Sequence, residues 1–101
     1  MSQPMTPEQL KANASQAAGF LKMLANQKRL MILCALINGE MSVGDLNAQV
    51  PLSQSALSQH LAALREAELV ATRRDSQKIF YRLNGDAAVR IIEVLQSIYC
   101  P

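Results

Sequence analysis

Ser42 and Ser53 each stand where a helix should begin, and Pro51 stands between them. In Ser42-Val-Gly-Asp45 a hydroxyl occupies an N-cap position and a carboxylate follows three residues on, a relative of the capping box that satisfies two orphan amides reciprocally. That helix is expected through Leu46 to about Val50, since Pro51 disfavours its continuation. Ser53 can cap the next helix, with Leu52 before it and Leu57 in reach as a staple partner. Only a few residues then separate two helices, which confines this part of the chain to a tight helix–turn–helix.

The second of these helices, LSQSALSQHLAALRE, places Leu57, Leu61 and Leu64 on one stripe. The opposite side carries Gln54, Ser55, Ser58, Gln59 and His60, whereas an ordinary solvated face is rich in Lys and Glu. Amides and hydroxyls can meet base edges, and a reading helix uses its N-terminal half for that contact. Its free N–H groups also favour a phosphate. A polar face can equally be a solvated one, so the neighbouring segments decide. His60 has no partner ligands at helical spacing and is expected to be a phosphate or structural contact, not a metal ligand.

Those neighbours point the same way. After Glu68 the apolar period changes from helical to alternating. Leu69-Val-Ala-Thr-Arg-Arg and Lys78-Ile-Phe-Tyr-Arg-Leu read as two strands around the polar turn Asp75-Ser-Gln. Arg65, Arg73, Arg74, Lys78 and Arg82 cluster here, opposed by Glu66, Glu68 and Asp75. The basic tip from Arg73 to Lys78 is placed to reach a neighbouring minor groove or the DNA backbone.

Upstream, Thr6 and Pro7 start a helix in which Leu10, Ala14, Ala17, Leu21 and Leu24 form a seam suited to a partner helix. RLMILCALI is apolar nearly all round and should be a central helix, stopped at Asn38-Gly39. Asp86 can cap a last helix with Ala88, Ile92, Leu95 and Tyr99 on one face. The expected fold is mainly α with a two-stranded β-hairpin wing, one domain over residues 1–101. Seams on the N- and C-terminal helices are expected to pair two copies into a homodimer.

At 101 residues the chain can form one small domain, and a core that limited is often completed by a second copy. A net charge of +2 indicates little about a polyanionic partner, so placement of the charges carries the argument. The N-terminus MSQPMTPEQ lacks a basic n-region and an apolar h-region, and the run Leu30–Ile37 is too short to span a bilayer. A cytoplasmic protein with no membrane role is expected. There is no Gly-rich phosphate loop, nucleophile–base pair, paired carboxylate set or Cys-x-x-Cys, so neither an enzyme nor a cofactor is expected. A protein-interaction module that ignores DNA is the competing class.

The run from Val50 to Val70, with SQSALSQHLAALREAELV at its centre, followed by TRRDSQKIFYRL, resembles the ArsR/SmtB family of winged helix–turn–helix regulators. LANQKRLMILCAL resembles the family's preceding segment, so the likeness runs from about Phe20 to Tyr99. The resemblance implies a homodimeric regulator that binds a pseudo-palindromic double-stranded operator and leaves it when an inducer acts. The family's metal motifs are missing: MSVGDLNAQV has no cysteine and GDAAVRIIEVLQSIYCP no histidine. A metal-responsive repressor remains the alternative from the same fold.

Cys34 and Cys100 resemble, in ILC and IYC, the HlyU/BigR/SqrR-like branch. The resemblance implies that this pair senses reactive sulfur or an oxidant and forms a disulfide or a sulfur-bridged link that weakens DNA binding. Read from the residues alone, Cys34 shares a helix face with Leu30 and Ile37 and fits an inert core cysteine. Cys100 stands next to the chain end, where a thiol without a role would be exposed to oxidation.

Overall fold

A computed structural model describes residues 4–99. Thr6 begins α1 (Pro7–Leu24): its Oγ1 accepts from the Gln9 N–H at 3.2 Å, and its own N–H donates to Gln9 Oε1 at 3.0 Å. Asn26 caps α2 (Gln27–Leu36) by accepting from the Arg29 N–H. Gly39, with φ at 140°, takes the backbone where a side chain would be strained, just after that helix.

The helix–turn–helix is as its caps require. Ser42 and Asp45 form a full capping box on α3 (Val43–Gln49). Ser53 Oγ accepts from the Ala56 N–H at 3.1 Å at the start of α4 (Gln54–Glu66). Glu68 ends α4 in the left-handed region, φ 62°, usually left to glycine. The Leu69 N–H reaches back to the Leu64 carbonyl and the Glu68 N–H to that of Arg65, which satisfies acceptors of the last turn.

β2 (Val70–Asp75) and β3 (Lys78–Leu83) form the wing, antiparallel from Val70↔Leu83 to Asp75↔Lys78. The turn between them puts Ser76 at φ 57°, in the positive region that two-residue hairpin loops use. The sheet is three-stranded, not two-stranded as expected: β1 (Met41–Ser42) adds to β3 in the order β1-β3-β2. β1 consists of two residues paired with Tyr81 and Phe80, so its strand character comes from tertiary pairing and has no local signature. The chain closes with α5 (Ala87–Tyr99), where the Asp86 carbonyl accepts from the Arg90 N–H.

The core gathers Leu24, three residues of α2 (Ile32, Leu33, Leu36), Leu46, Leu57, Leu61, Leu64, Val70 and Ile92. Each large side chain so buried stabilises the fold by roughly 1.5–3 kcal/mol relative to exposure. α2 is central, but not buried all round: Leu30, Met31, Ala35 and Ile37 are half-buried and Cys34 is exposed. The expectation of a core position for Cys34 is therefore corrected. Its neighbours on that face, Leu30 and Ile37, do not seal it.

The terminal helices divide differently from their sequence seams. On α5, Ala88 and Ile92 pack into the chain's own core, so the first half of that stripe is not free for a partner, while Leu95 is half-buried. Tyr99 of the stripe is exposed (77%), and so are Val94 (56%) and Ile98 (60%) beside it. On α1 the seam does face outward, with Leu10 and Leu21 about half exposed and only Leu24 buried. Among the described residues no helix is long and apolar enough to cross a membrane.

Candidate nucleic-acid interface

The leucine stripe of α4 is sealed in the core, which fixes the rotation of the helix and turns its other face out. Gln54, Ser55, Ser58 and Gln59 are all exposed on that face, and His60 is half-buried at its margin. The turn that aims α4 is itself held. Asn47 Nδ2 donates to the carbonyl of Leu52 at 2.8 Å and lies 3.5 Å from that of Val50. Sequence reasoning overlooked Asn47; its signal was an amide near the end of α3, ahead of Val-Pro-Leu, whose carbonyls need donors.

Arg65, in the last turn of α4, is exposed, as are Arg73, Arg74, Lys78 and Arg82 on the wing. These wing cations do not form one cluster. Side chains alternate along a strand, so the register puts Arg73, Lys78 and Arg82 on one face, with Phe80. Arg74 lies on the other face, opposite Ile79. Arg73 is further distinguished by Glu40, whose carboxylate accepts from its guanidinium at both oxygens. That hydrogen bond, reinforced by the charges of Arg73 and Arg82 and only partly opposed by desolvation, holds the Glu40 carboxyl below its ordinary range. The same contact raises the Arg73 guanidinium, so both members stay ionised across neutral pH. Neither Glu40 nor Phe80 was marked by sequence reasoning, since Glu40 meets Arg73 only through β1.

Cys34 opens onto a groove between α2 and the β1 segment, lined also by Met31, Glu40, Met41 and Tyr99. Cys100, its expected partner, lies outside the described residues. Tyr99, which precedes it, brings the end of α5 to the rim of that groove. Among the described residues no cluster of three or more His, Cys, Asp or Glu could hold a metal ion.

The model of the "Bacterial regulatory protein, arsR family" matches residues 26–72, the stretch from the α2 cap into the wing. The transcriptional activator HlyU of Vibrio cholerae is 46% identical over 97 residues, covering 96% of this chain and 90% of its own. The solved structure of reduced HlyU from the same organism aligns with a TM-score of 0.85 at 47% identity, over 91% of this chain and 97% of that one. A homodimeric winged helix–turn–helix DNA-binding domain from Mycobacterium bovis aligns with a TM-score of 0.77 at 29% identity, over 98% and 90%. Capped helix–turn–helix, outward polar row, wing and extensive identity converge: the chain belongs to the ArsR family, and is a DNA-binding transcriptional regulator, not an enzyme.

Proposed function

We propose that the protein works as a homodimer on a pseudo-palindromic operator, with the two α4 helices in successive major grooves. The observation that carries this reading is the outward row Gln54, Ser55, Ser58 and Gln59 on a helix whose rotation is fixed by its buried leucines. Gln54 and Gln59 supply paired donor and acceptor groups suited to adenine, and Ser55 and Ser58 adapt to several base edges. Arg65, Arg74 and Lys78 supply backbone contacts, with His60 at the edge of the same surface. Sequence reasoning groups Arg73 with them, although its guanidinium already meets Glu40. The dimer contact is assigned to Leu10 and Leu21 of α1 with Val94 and Ile98 of α5, all apolar and exposed in one chain. The homodimeric state of the Mycobacterium bovis domain supports this.

We further infer that operator affinity is switched at Cys34 and Cys100. Peroxide oxidises one thiolate to a sulfenic acid, releasing hydroxide. The second thiolate then attacks that sulfur and expels hydroxide, leaving a disulfide after a two-electron oxidation. A polysulfide instead transfers a sulfane sulfur to one thiolate; attack on the resulting persulfide closes a link and releases hydrosulfide. Support comes from the exposure of Cys34 and from Tyr99 at the rim of its groove. The link would tie α5 to α2, and a coupling of about 1–3 kcal/mol between that tie and the angle of the reading helices suffices for release.

The experiment is a gel-shift titration on a selected operator, with and without polysulfide or peroxide. Retarded complexes that lose affinity in steep proportion to salt support DNA binding, and release on oxidation supports the switch. Binding without release would remove the switch and leave the DNA reading intact.

A further inference from the structure

Arg73 is the most constrained cation on the wing. Its Nε–H donates to both oxygens of Glu40, at 2.8 and 2.9 Å, and its Nη2 also contacts Oε1. The guanidinium carbon lies 4.6 Å from the centroid of the Phe80 ring. Phe80 is the residue paired with Arg73 across β2 and β3, and it also pairs with Ser42 of β1. Ser42 is the N-cap of α3. One arginine therefore joins the outer wing strand to the segment where the helix–turn–helix begins.

The surrounding charge argues against a phosphate at this site. The Nε/Nη2 edge, the one that would grip an anion bidentately, is taken by Glu40. Near the other edge Asp75 Oδ2 stands 3.8 Å from Nη1. A phosphate would meet two carboxylates around one cation. Arg74, Lys78 and Arg82 appear in no such ion pair among the described residues.

We propose that Arg73 is not a DNA contact: together with Glu40 and Phe80 it is a positioning clamp that sets the wing against the helix–turn–helix. Clamped, the wing presents Lys78 and its other cations in register with α4. Released, the hairpin tip beyond Arg73 and Phe80, which no pairing with β1 holds, moves more freely and those contacts are made less often. The proposal rests on the reading that the wing touches DNA, and the test separates the two.

The salt dependence of duplex affinity is measured for wild type, Arg73→Gln, Glu40→Gln, their double variant, Lys78→Gln, and the charge-exchanged pair Glu40→Arg with Arg73→Glu. The clamp predicts an equal loss of about two- to fivefold in the two single Gln variants, the scale of an exposed ion pair. The double variant is then no weaker than either single, because one interaction is removed twice. The slope of log affinity against log salt stays at the wild-type value in all three. The exchanged pair regains most of the affinity, which a merely disturbed fold would not. Lys78→Gln flattens the slope by about 0.9, one phosphate contact. The clamp is overturned if Arg73→Gln flattens the slope as Lys78→Gln does, or if Glu40→Gln tightens binding. It is also overturned if the exchanged pair melts like wild type yet regains nothing. An unchanged slope in Lys78→Gln takes the wing off the DNA, and the clamp's role in binding with it.

Discussion

Cys34 of α2 and Tyr99, the last residue of α5, wall the same groove. The chain thus carries the residue before Cys100 to the surface on which Cys34 is exposed. Cys34→Ser and Cys100→Ser should each bind operator as tightly as wild type in reductant, and each should fail to release it with polysulfide or peroxide. Gel shifts with both inducers check this. Full release from both variants removes the thiol switch.

Val94 and Ile98 are more than half exposed on one side of α5. An apolar strip of this kind should be covered in the working assembly. Val94→Glu combined with Ile98→Glu is expected to halve the mass measured by light scattering at micromolar concentration, since two carboxylates cannot be buried unpaired. Operator affinity should then fall by orders of magnitude, because one reading helix replaces two. A wild-type mass of one chain contradicts the dimer.

Both ends of α4 make stability predictions of opposite sign. Ser53→Ala leaves the Ala56 N–H without its side-chain acceptor and should cost about 1 kcal/mol. Glu68→Gly relieves a left-handed backbone that disfavours any side chain by roughly 1–2 kcal/mol. The extra freedom of glycine in the unfolded chain offsets part of that, leaving a gain of about 0.5–1 kcal/mol. Thermal melts should shift down for the first variant and up for the second, by about 4–8 °C per kcal/mol.

The Glu40–Arg73 pair has a defined pH signature. The pKa of Glu40 lies lower in the folded chain than its ordinary value of 4.5, mainly through the hydrogen bond from Arg73. Its contribution to stability is therefore fully present above 4.5 and is lost as pH falls through the lower folded value. The difference in melting temperature between wild type and Glu40→Gln should be constant across neutral pH and shrink toward zero in acid below that range. A difference that grows in acid contradicts the assignment.

Much of the fold was legible because its boundaries are chemically marked. Thr6, Ser42 and Ser53 announce their helices by hydroxyls, and the leucines at 57, 61 and 64 fix which side of α4 faces out. What escaped was set by partners distant in sequence. Met41 and Ser42 become a strand only because β3 offers an edge. Arg73 reads as a free cation until Glu40, 33 residues away, arrives beside it. Cys34 reads as core because its helix is so apolar, yet its face of α2 opens onto a groove. The α5 seam reads as a dimer contact, although Ala88 and Ile92 are consumed by the chain's own core.

Protection of guanine N7 from methylation in a selected operator bears most directly on the placement of α4. Two protected major-groove patches, centred about one helical turn or a multiple of it apart, are expected for wild type. The patches should weaken together when Gln54 and Gln59 are both replaced by Ala. Protection confined to a single patch, or two patches indifferent to those substitutions, would mean that this helix does not read the duplex.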